Sequence, residues 1–263
     1  MLKYYNNITK TLTIPCEFYE ELKDIPDDTE IIIFDEKIHN SFFNKEIKEN
    51  VLPVSLHTLT FGRSFNKEIK ENVLPVSLHT LIFGHIFNKE IKENVLPKSL
   101  HTLTFGCHFN QEIKENVLPD SLHTLRLGVT FNQEIKENVL PKLLHTLNFI
   151  EYSMFIQEIK ENILPISLHT LTFGMFFNKE IKENVLPKSV RKISLYSHHN
   201  LINNLPLQLE EVYINFSNND KYNKEVNNLP ITLEKIIIPN EKYLKYITKI
   251  PFGCNIVIKD SNE

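Results

Sequence analysis

The sequence predicts a repeat solenoid: about twelve stacked coils of ~22 residues, with a parallel β-sheet on one face and a mostly irregular opposite wall. Three observations predict it. The segment FNKEIKENVLPVSL at residues 65–78 recurs almost unchanged at residues 87–100. A proline falls at Pro53, Pro75, Pro97, Pro119 and Pro141, 22 residues apart each time. It then slips by two residues to Pro165, returns at Pro187, and continues less regularly at Pro206, Pro230 and Pro251. Within each unit the apolar residues alternate with polar ones over a short stretch, as in Leu59-Thr60-Phe61, the mark of a strand with one buried face.

Each part of the unit has its own reason. Leu56 turns inward as the chain rounds a corner, and Leu59 and Phe61 follow on the inner face of the strand. A glycine comes next, at Gly62, Gly84, Gly106, Gly128 and Gly174, and suits either a positive φ or a close backbone approach. Phe65, Ile69 and Leu74 return to the interior along the opposite wall. Pro75 has no N–H and ends regular pairing before the next coil. Seven apolar side chains cannot offset the ordering entropy of one such unit, so a coil is stable only between neighbours.

The ends are degenerate copies. Leu12/Ile14 and Ile32/Phe34 read as two opening rungs; Ile193/Leu195, Val212/Ile214, Ile236/Ile238 and Ile256/Ile258 read as four closing ones. The division is therefore one domain over residues 1–263: degenerate coils and a cap at 1–42, regular repeats at 43–190, degenerate coils and a cap at 191–263. The polar segments 24–30 and 259–263 are expected to serve as caps. Twelve parallel strands would form a ribbon roughly 50 Å long.

Composition narrows the class. At 41% hydrophobic and 24% charged the chain is not a disordered polar tract. A formal net charge of −4 and the lack of a Lys/Arg-rich block argue against nucleic acid. No apolar run reaches the roughly 18 residues of a membrane span, and the first residues lack the apolar core of a signal peptide. Cys16, Cys107 and Cys254 lie far apart and are odd in number, which suits a reducing compartment. An intracellular, cytoplasmic protein is expected.

The signature FN..I....LP..L..L.FG resembles the FNIP repeat, a variant of the leucine-rich repeat found in social amoebae and in giant viruses of amoebae. Phe65/Asn66/Ile69, Phe87/Asn88/Ile91, Phe109/Asn110/Ile113, Phe131/Asn132/Ile135 and Phe177/Asn178/Ile181 carry the resemblance, each with Leu-Pro five residues after the isoleucine. It implies a leucine-rich-repeat-like solenoid, a role in protein interaction, and no catalytic residues. Some relatives carry an F-box, which implies a second reading as a substrate-recruiting adaptor of a ubiquitin ligase. Residues 1–25 are too short for an F-box and read as a capping coil.

Repetition turns single residues into ladders. His57, His79, His101, His123, His145 and His169 form one; it reads as a copied turn residue rather than a metal column, since no Cys or Asp accompanies it at ligand spacing. Close packing of like charges should lower the pKa values of such a column. Asn66, Asn88, Asn110, Asn132 and Asn178 form a second ladder and Asn72, Asn94, Asn116, Asn138, Asn162 and Asn184 a third, both read as amides bonded along the stack or to turns. The charged segment Lys67-Glu68-Ile69-Lys70-Glu71 reads as a solvated outer wall in which diagonal Lys–Glu contacts relieve like-charge stacking.

Function is sought where otherwise identical copies differ. Arg63-Ser64, His85-Ile86, Cys107-His108, Val129-Thr130, Glu151-Tyr152 and Met175-Phe176 follow the successive strands, and Arg126 replaces a threonine of the open sheet face. With Tyr196, His198 and His199 they make a mixed aromatic, aliphatic and cationic stripe of the kind interfaces favour. The residues expected to touch a protein partner are Arg63, His85, Ile86, Cys107, His108, Arg126, Val129, Tyr152, Met175, Phe176 and Tyr196. The two-residue slip at Ile150 to Met154 breaks the array once, and there Ile150 stands for the glycine and Ile156 for the asparagine. No cofactor, metal or membrane partner is expected. Cys107 and His108 lack an orienting acid, so the chain is read as a scaffold and not an enzyme.

Overall fold

The computed structural model describes residues 1–35, 41–198 and 204–259. Thirteen strands form one sheet in chain order. They are β1 (Tyr5–Asn6), β2 (Thr11–Ile14), β3 (Ile31–Phe34), β4 (Thr58–Thr60), β5 (Thr80–Ile82), β6 (Thr102–Thr104) and β7 (Thr124–Leu127). There follow β8 (Thr146–Phe149), β9 (Thr170–Thr172), β10 (Lys192–Tyr196), β11 (Glu211–Asn215), β12 (Lys235–Ile238) and β13 (Asn255–Ile258). From β2 onward each strand lies parallel to the next, so the twelve predicted rungs are all present, joined by eleven turns of the solenoid. The register is one coil per repeat: Leu59 pairs with Leu81, Leu81 with Leu103, Leu103 with Leu125. Among the described residues the return wall has neither strand nor α-helix across the regular repeats, as the sequence predicts.

Period-two alternation puts Leu59 and Phe61 inside and Thr58 and Thr60 on the open face, and the copies repeat this down the array. The core is built largely of two phenylalanine columns. One, from the strand ends, holds Phe61, Phe83 and Phe105; the other, from the return wall, holds Phe65, Phe87 and Phe109. Within a coil the two rings stack at 3.7–3.9 Å between centroids, and between coils the rings of one column follow at 5.6–6.2 Å. Leu127 breaks the inner column, leaving Phe131 stacked only on its own column neighbours. Val73 and its copies Val95, Val117, Val139 and Val185 are buried beside the Leu-Pro leucine, a core column the sequence reading passed over.

The turn chemistry divides differently from expectation. The glycines after the strands do not take positive φ; they serve close approach, since a Cβ on Gly84, Gly106 or Gly128 would lie 1.8–1.9 Å from the preceding glycine's carbonyl oxygen. The positive φ belongs to the third ladder: Asn72, Asn94, Asn116, Asn138, Asn162 and Asn184 all sit at +61° to +68°. Asparagine there relieves a left-handed corner, which few other residues tolerate, so these residues are turn formers rather than a stack of bonded amides. The Asn66 ladder does bond along the stack. Each backbone N–H donates to the Oδ1 of the asparagine one coil earlier, at 2.9 Å for Asn66, Asn88, Asn110 and Asn132. A serine ladder adds a second set of rungs, Ser77, Ser99 and Ser121 each donating to the leucine carbonyl of the coil before at 2.7–2.8 Å.

The outer wall carries the diagonal ion pairs foreseen: Lys92 meets Glu68, Lys114 meets Glu90, Lys136 meets Glu112 and Lys160 meets Glu134, each at 2.6–2.7 Å between consecutive coils. All are solvent-exposed and add little to stability. Gln111 and Gln133, where the first lysine is lost, turn their amides onto the asparagine ladder instead.

One cap assignment changes. The opening edge is closed by β1, antiparallel to β2, and not by residues 24–30. Those residues connect β2 to β3; within them Asp28 receives Lys10 and the Tyr5 hydroxyl, and Thr29 is buried. At the other end Lys259 still donates its N–H to Ile238 of β12, and residues 260–263 lie outside the described residues.

Candidate functional site

The variable residues form a physical column. After each glycine the chain makes a tight turn, Phe65 N–H returning to the Gly62 carbonyl, which places the two intervening residues on the outside of the corner. Backbone bonds then join one corner to the next: Ile86 to Arg63, His108 to His85, Thr130 to Cys107, Met154 to Val129 and Met175 to Glu151, at 2.7–3.1 Å. Side chains that differ from copy to copy are thus held at the pitch of the sheet. Arg63 and His108 are exposed, and His85, Ile86, Cys107, Val129 and Met175 are half-buried. The rings of His85 and His108 lie 4.9 Å apart, and burial first, then Arg63 and His108, hold the His85 imidazole below its usual pKa. Arg126 stands apart from this column, exposed on the sheet face between Thr104 and Asn148.

Tyr196 is corrected. Only 3% exposed, it lies packed beside His198 at the corner and donates its hydroxyl to Glu151 at 3.2 Å. Burial, then Glu151, pushes its phenol pKa up. It is covered at the corner and presents little surface to a partner; by register it stands at the position Gly174 holds one coil earlier. His198 donates from Nε2 to the Met175 carbonyl, 3.0 Å away, and His199 lies outside the described residues.

The slip concentrates apolar surface. With Ile150 in place of glycine, an added turn runs from Ile150 to Ser153, whose N–H reaches the Ile150 carbonyl and whose hydroxyl meets the Phe155 N–H. Ser153 is buried, and the two added residues push Tyr152 and Met154 outward. Tyr152, Met154, Ile156 and Phe176 are then 59%, 52%, 39% and 51% exposed on adjacent coils. Phe176 stands between two hollows. One, of about 460 Å³, is lined by Asn110, Thr130, Asn132, Met154, Ile156 and Phe176. The other, of about 550 Å³, is lined by Met175, Phe176, His198, Ser217, Lys221, Tyr222 and Lys224. Met154 and Ile156 were not among the expected contact residues, although the slip and the lost asparagine marked the place. A second variable column was also passed over: Val54, Val76, Ile166, Leu207 and Ile231, each after a proline and before a strand, are all strongly exposed.

The histidine ladder stacks as foreseen, with centroids 5.1–5.5 Å apart from His57 to His169. His123 and His169 each place Nδ1 2.6 Å from a serine carbonyl two residues back. His145 is held below the usual imidazole pKa by burial first, then by His123 and His169. Among the described residues no group of three His, Cys, Asp or Glu side chains is placed to hold a metal ion, and Cys16, Cys107 and Cys254 are free thiols.

The family model for the FNIP repeat matches in seven overlapping segments that together run from residue 43 to residue 217. A giant-virus protein, CroV588, whose crystal structure is described as a novel circular LRR protein structure, is 38% identical over 95% of this chain at a TM-score of 0.66. The chain spans 43% of that protein's length. The pneumococcal vaccine antigen PcpA and a leucine-rich-repeat protein of Bacteroides ovatus share 15% and 16% identity over 98% and 96% of this chain. They cover 82% and 63% of those chains, at TM-scores of only 0.32 and 0.22. No curated protein matches the chain. A repeat signature matched over most of its length, carried on a leucine-rich-repeat-like solenoid, makes the chain a member of the FNIP-repeat family.

Proposed function

We propose that the chain is a non-catalytic protein-interaction scaffold, presenting its open sheet face and the variable corner column to a protein partner inside the cell. One observation carries the reading. The residues that build the coil repeat almost without change, while the residues after each strand vary from copy to copy and are held in step along one corner column by backbone bonds. A surface whose scaffold is copied and whose side chains differ is how repeat proteins address extended partners. The mixture of Arg63, His85, His108, Tyr152 and Phe176 supports a protein surface rather than a nucleic acid one. Three unpaired thiols are in keeping with a reducing, cytoplasmic setting. Among the described residues no helix is long and apolar enough to cross a membrane.

The test is capture with a cross-linkable form of the chain, followed by the same capture with Arg63→Glu/His108→Ala. A stable protein partner retained by the parent chain and lost with the double variant is the expected result. A partner held equally by both places binding elsewhere and overturns the assignment to this wall. Ubiquitin-ligase subunits among the captured proteins would turn the reading toward a substrate-recruiting adaptor.

A further inference from the structure

Resting on the scaffold reading, we infer that the slip between β8 and β9 is the anchor point of the surface, and that its occupant is an extended, acidic-and-apolar segment of a partner protein. Three independent features of this one patch describe the ligand. The first is apolar. Met154, Ile156 and the half-exposed ring of Phe176 supply the apolar lining of a hollow completed by Asn110, Thr130 and Asn132, with room for a single large side chain. Between the exposed Phe42 at this position of the first regular coil and the slip, the corresponding residues Ser64, Ile86, His108 and Thr130 are polar or half-buried, and only around the slip do exposed apolar side chains of this corner fall on adjacent coils.

The second feature is an unmet donor. Along the asparagine ladder each backbone N–H takes the Oδ1 of the residue one coil earlier, and Ile156 still does so from Asn132 at 3.0 Å. Ile156 has no oxygen to offer in return. The Asn178 N–H, which by the repeat follows Ile156 in the ladder, therefore finds no side-chain acceptor there, and Asn178 is an exposed residue beside the patch. An extended chain laid across the coils can supply the missing carbonyl. The third is charge. The hollow on the far side of Phe176 has Lys221 on its rim and no carboxylate among its lining residues. A ligand with an aromatic or long aliphatic side chain between Ile156 and Phe176, a main-chain carbonyl at Asn178 and a carboxylate toward Lys221 answers all three. Ile156 thus interrupts the ladder where a partner can complete it.

Fluorescence anisotropy with a labelled decapeptide that alternates leucine and phenylalanine with aspartate and glutamate tests this directly. The intact chain is expected to bind it in the micromolar range, and to bind poorly the same peptide with lysine for the acids or alanine for the apolar residues. Phe176→Ala should weaken binding roughly tenfold, as loss of an aromatic anchor does. Lys221→Glu should weaken it several-fold, with the loss growing at low salt. Ile156→Asn is the variant that keeps the fold, because it restores the ladder; it should melt no lower than the parent and still lose the peptide. No binding by the intact chain, equal binding by all three variants, or binding of anionic vesicles in place of the peptide overturns the inference. Should it fail while capture of a partner still depends on Arg63 and His108, the scaffold reading stands and only this anchor falls.

Discussion

Gly106→Ala tests the stacking at its tightest point. The added Cβ would lie 1.8 Å from the Gly84 carbonyl oxygen and 2.6 Å from its carbon, with the His85 Cα at 3.1 Å. An ordinary carbon–oxygen contact is roughly 3.3 Å, so the coils would have to part there by about 1.5 Å, near a third of the strand spacing. No side chain can swing aside, because every near atom is backbone. The parting also strains the His108-to-His85 and Phe83-to-Thr104 bonds that join the two coils on either side. Overpacking against yielding side chains costs about 1–3 kcal/mol; against backbone the upper end applies, about 3 kcal/mol. For a chain of this size that lowers Tm by about 6–12 °C.

Differential scanning calorimetry reads the shift, and amide exchange shows whether the loss is centred on the coils flanking residue 106. Gly174→Ala serves as the graded comparison, its nearest atoms being the Ser153 Cβ at 2.6 Å and the Ile150 carbonyl oxygen at 2.7 Å, and should cost roughly half as much. The array already contains the tolerated case: Ile150 fills the glycine position, in the coil lengthened by two residues. A Gly106→Ala chain that melts within about 1 °C of the parent, with unchanged exchange, would refute the contact and with it the close-approach reading of the glycine column.

Three further outcomes follow from the ladders. Burial and two cationic neighbours lower the His145 pKa in the folded chain, so the unfolded chain binds protons first as the pH drops; stability should be full above about pH 6.5 and fall below it. Adjacent imidazolium charges about 5 Å apart repel by roughly 0.8 kcal/mol before salt screening. His101→Gln/His145→Gln should flatten the melting temperature between pH 7 and pH 5.5, and a parent chain already flat there refutes the coupling. Glu68, Glu112 and Glu134, whose pKa values their lysines lower, add a separate loss only as the pH falls below the ordinary carboxylate range. Asn88→Ala leaves the Asn110 N–H and the Gln111 amide without their shared acceptor and should cost about 1–3 kcal/mol by urea denaturation. Asn94→Gly should be nearly neutral at the +62° corner and Asn94→Val should lose about 1–2 kcal/mol; equal stabilities would refute the left-handed corner.

What was legible in the sequence was whatever depends on period. Twelve rungs, the inward Leu59 and Phe61, the return of Phe65 and Ile69, and the diagonal lysine–glutamate pairs all follow from copying a unit along an axis. Backbone geometry was not legible to the same degree. Glycine and asparagine are both corner residues by type, and only the coordinates show that Gly106 serves contact while Asn94 serves φ. Tyr196 escapes the pattern for a related reason: in a degenerate coil a strand of five residues runs through the glycine position, and the tyrosine there is covered by the corner residues Glu151 and His198. Met154 and Ile156 were missed because a stripe read by position ends where the period breaks. Two added residues change which side chains face out.

The same stacking that makes the copies interdependent frees one wall from the demands of folding. Strand bonds, phenylalanine columns, asparagine and serine ladders are all satisfied between neighbouring coils without any help from Arg63, His85, Cys107 or Val129. Substitutions there change the surface at little cost to the fold. The slip differs, because Ser153, Tyr196 and Glu151 are tied into the corner that displays Tyr152 and Met154. A change to the apolar patch through that corner alters fold and surface together. Variation along the regular corners can tune recognition step by step, whereas the slip behaves as a fixed element around which that tuning takes place.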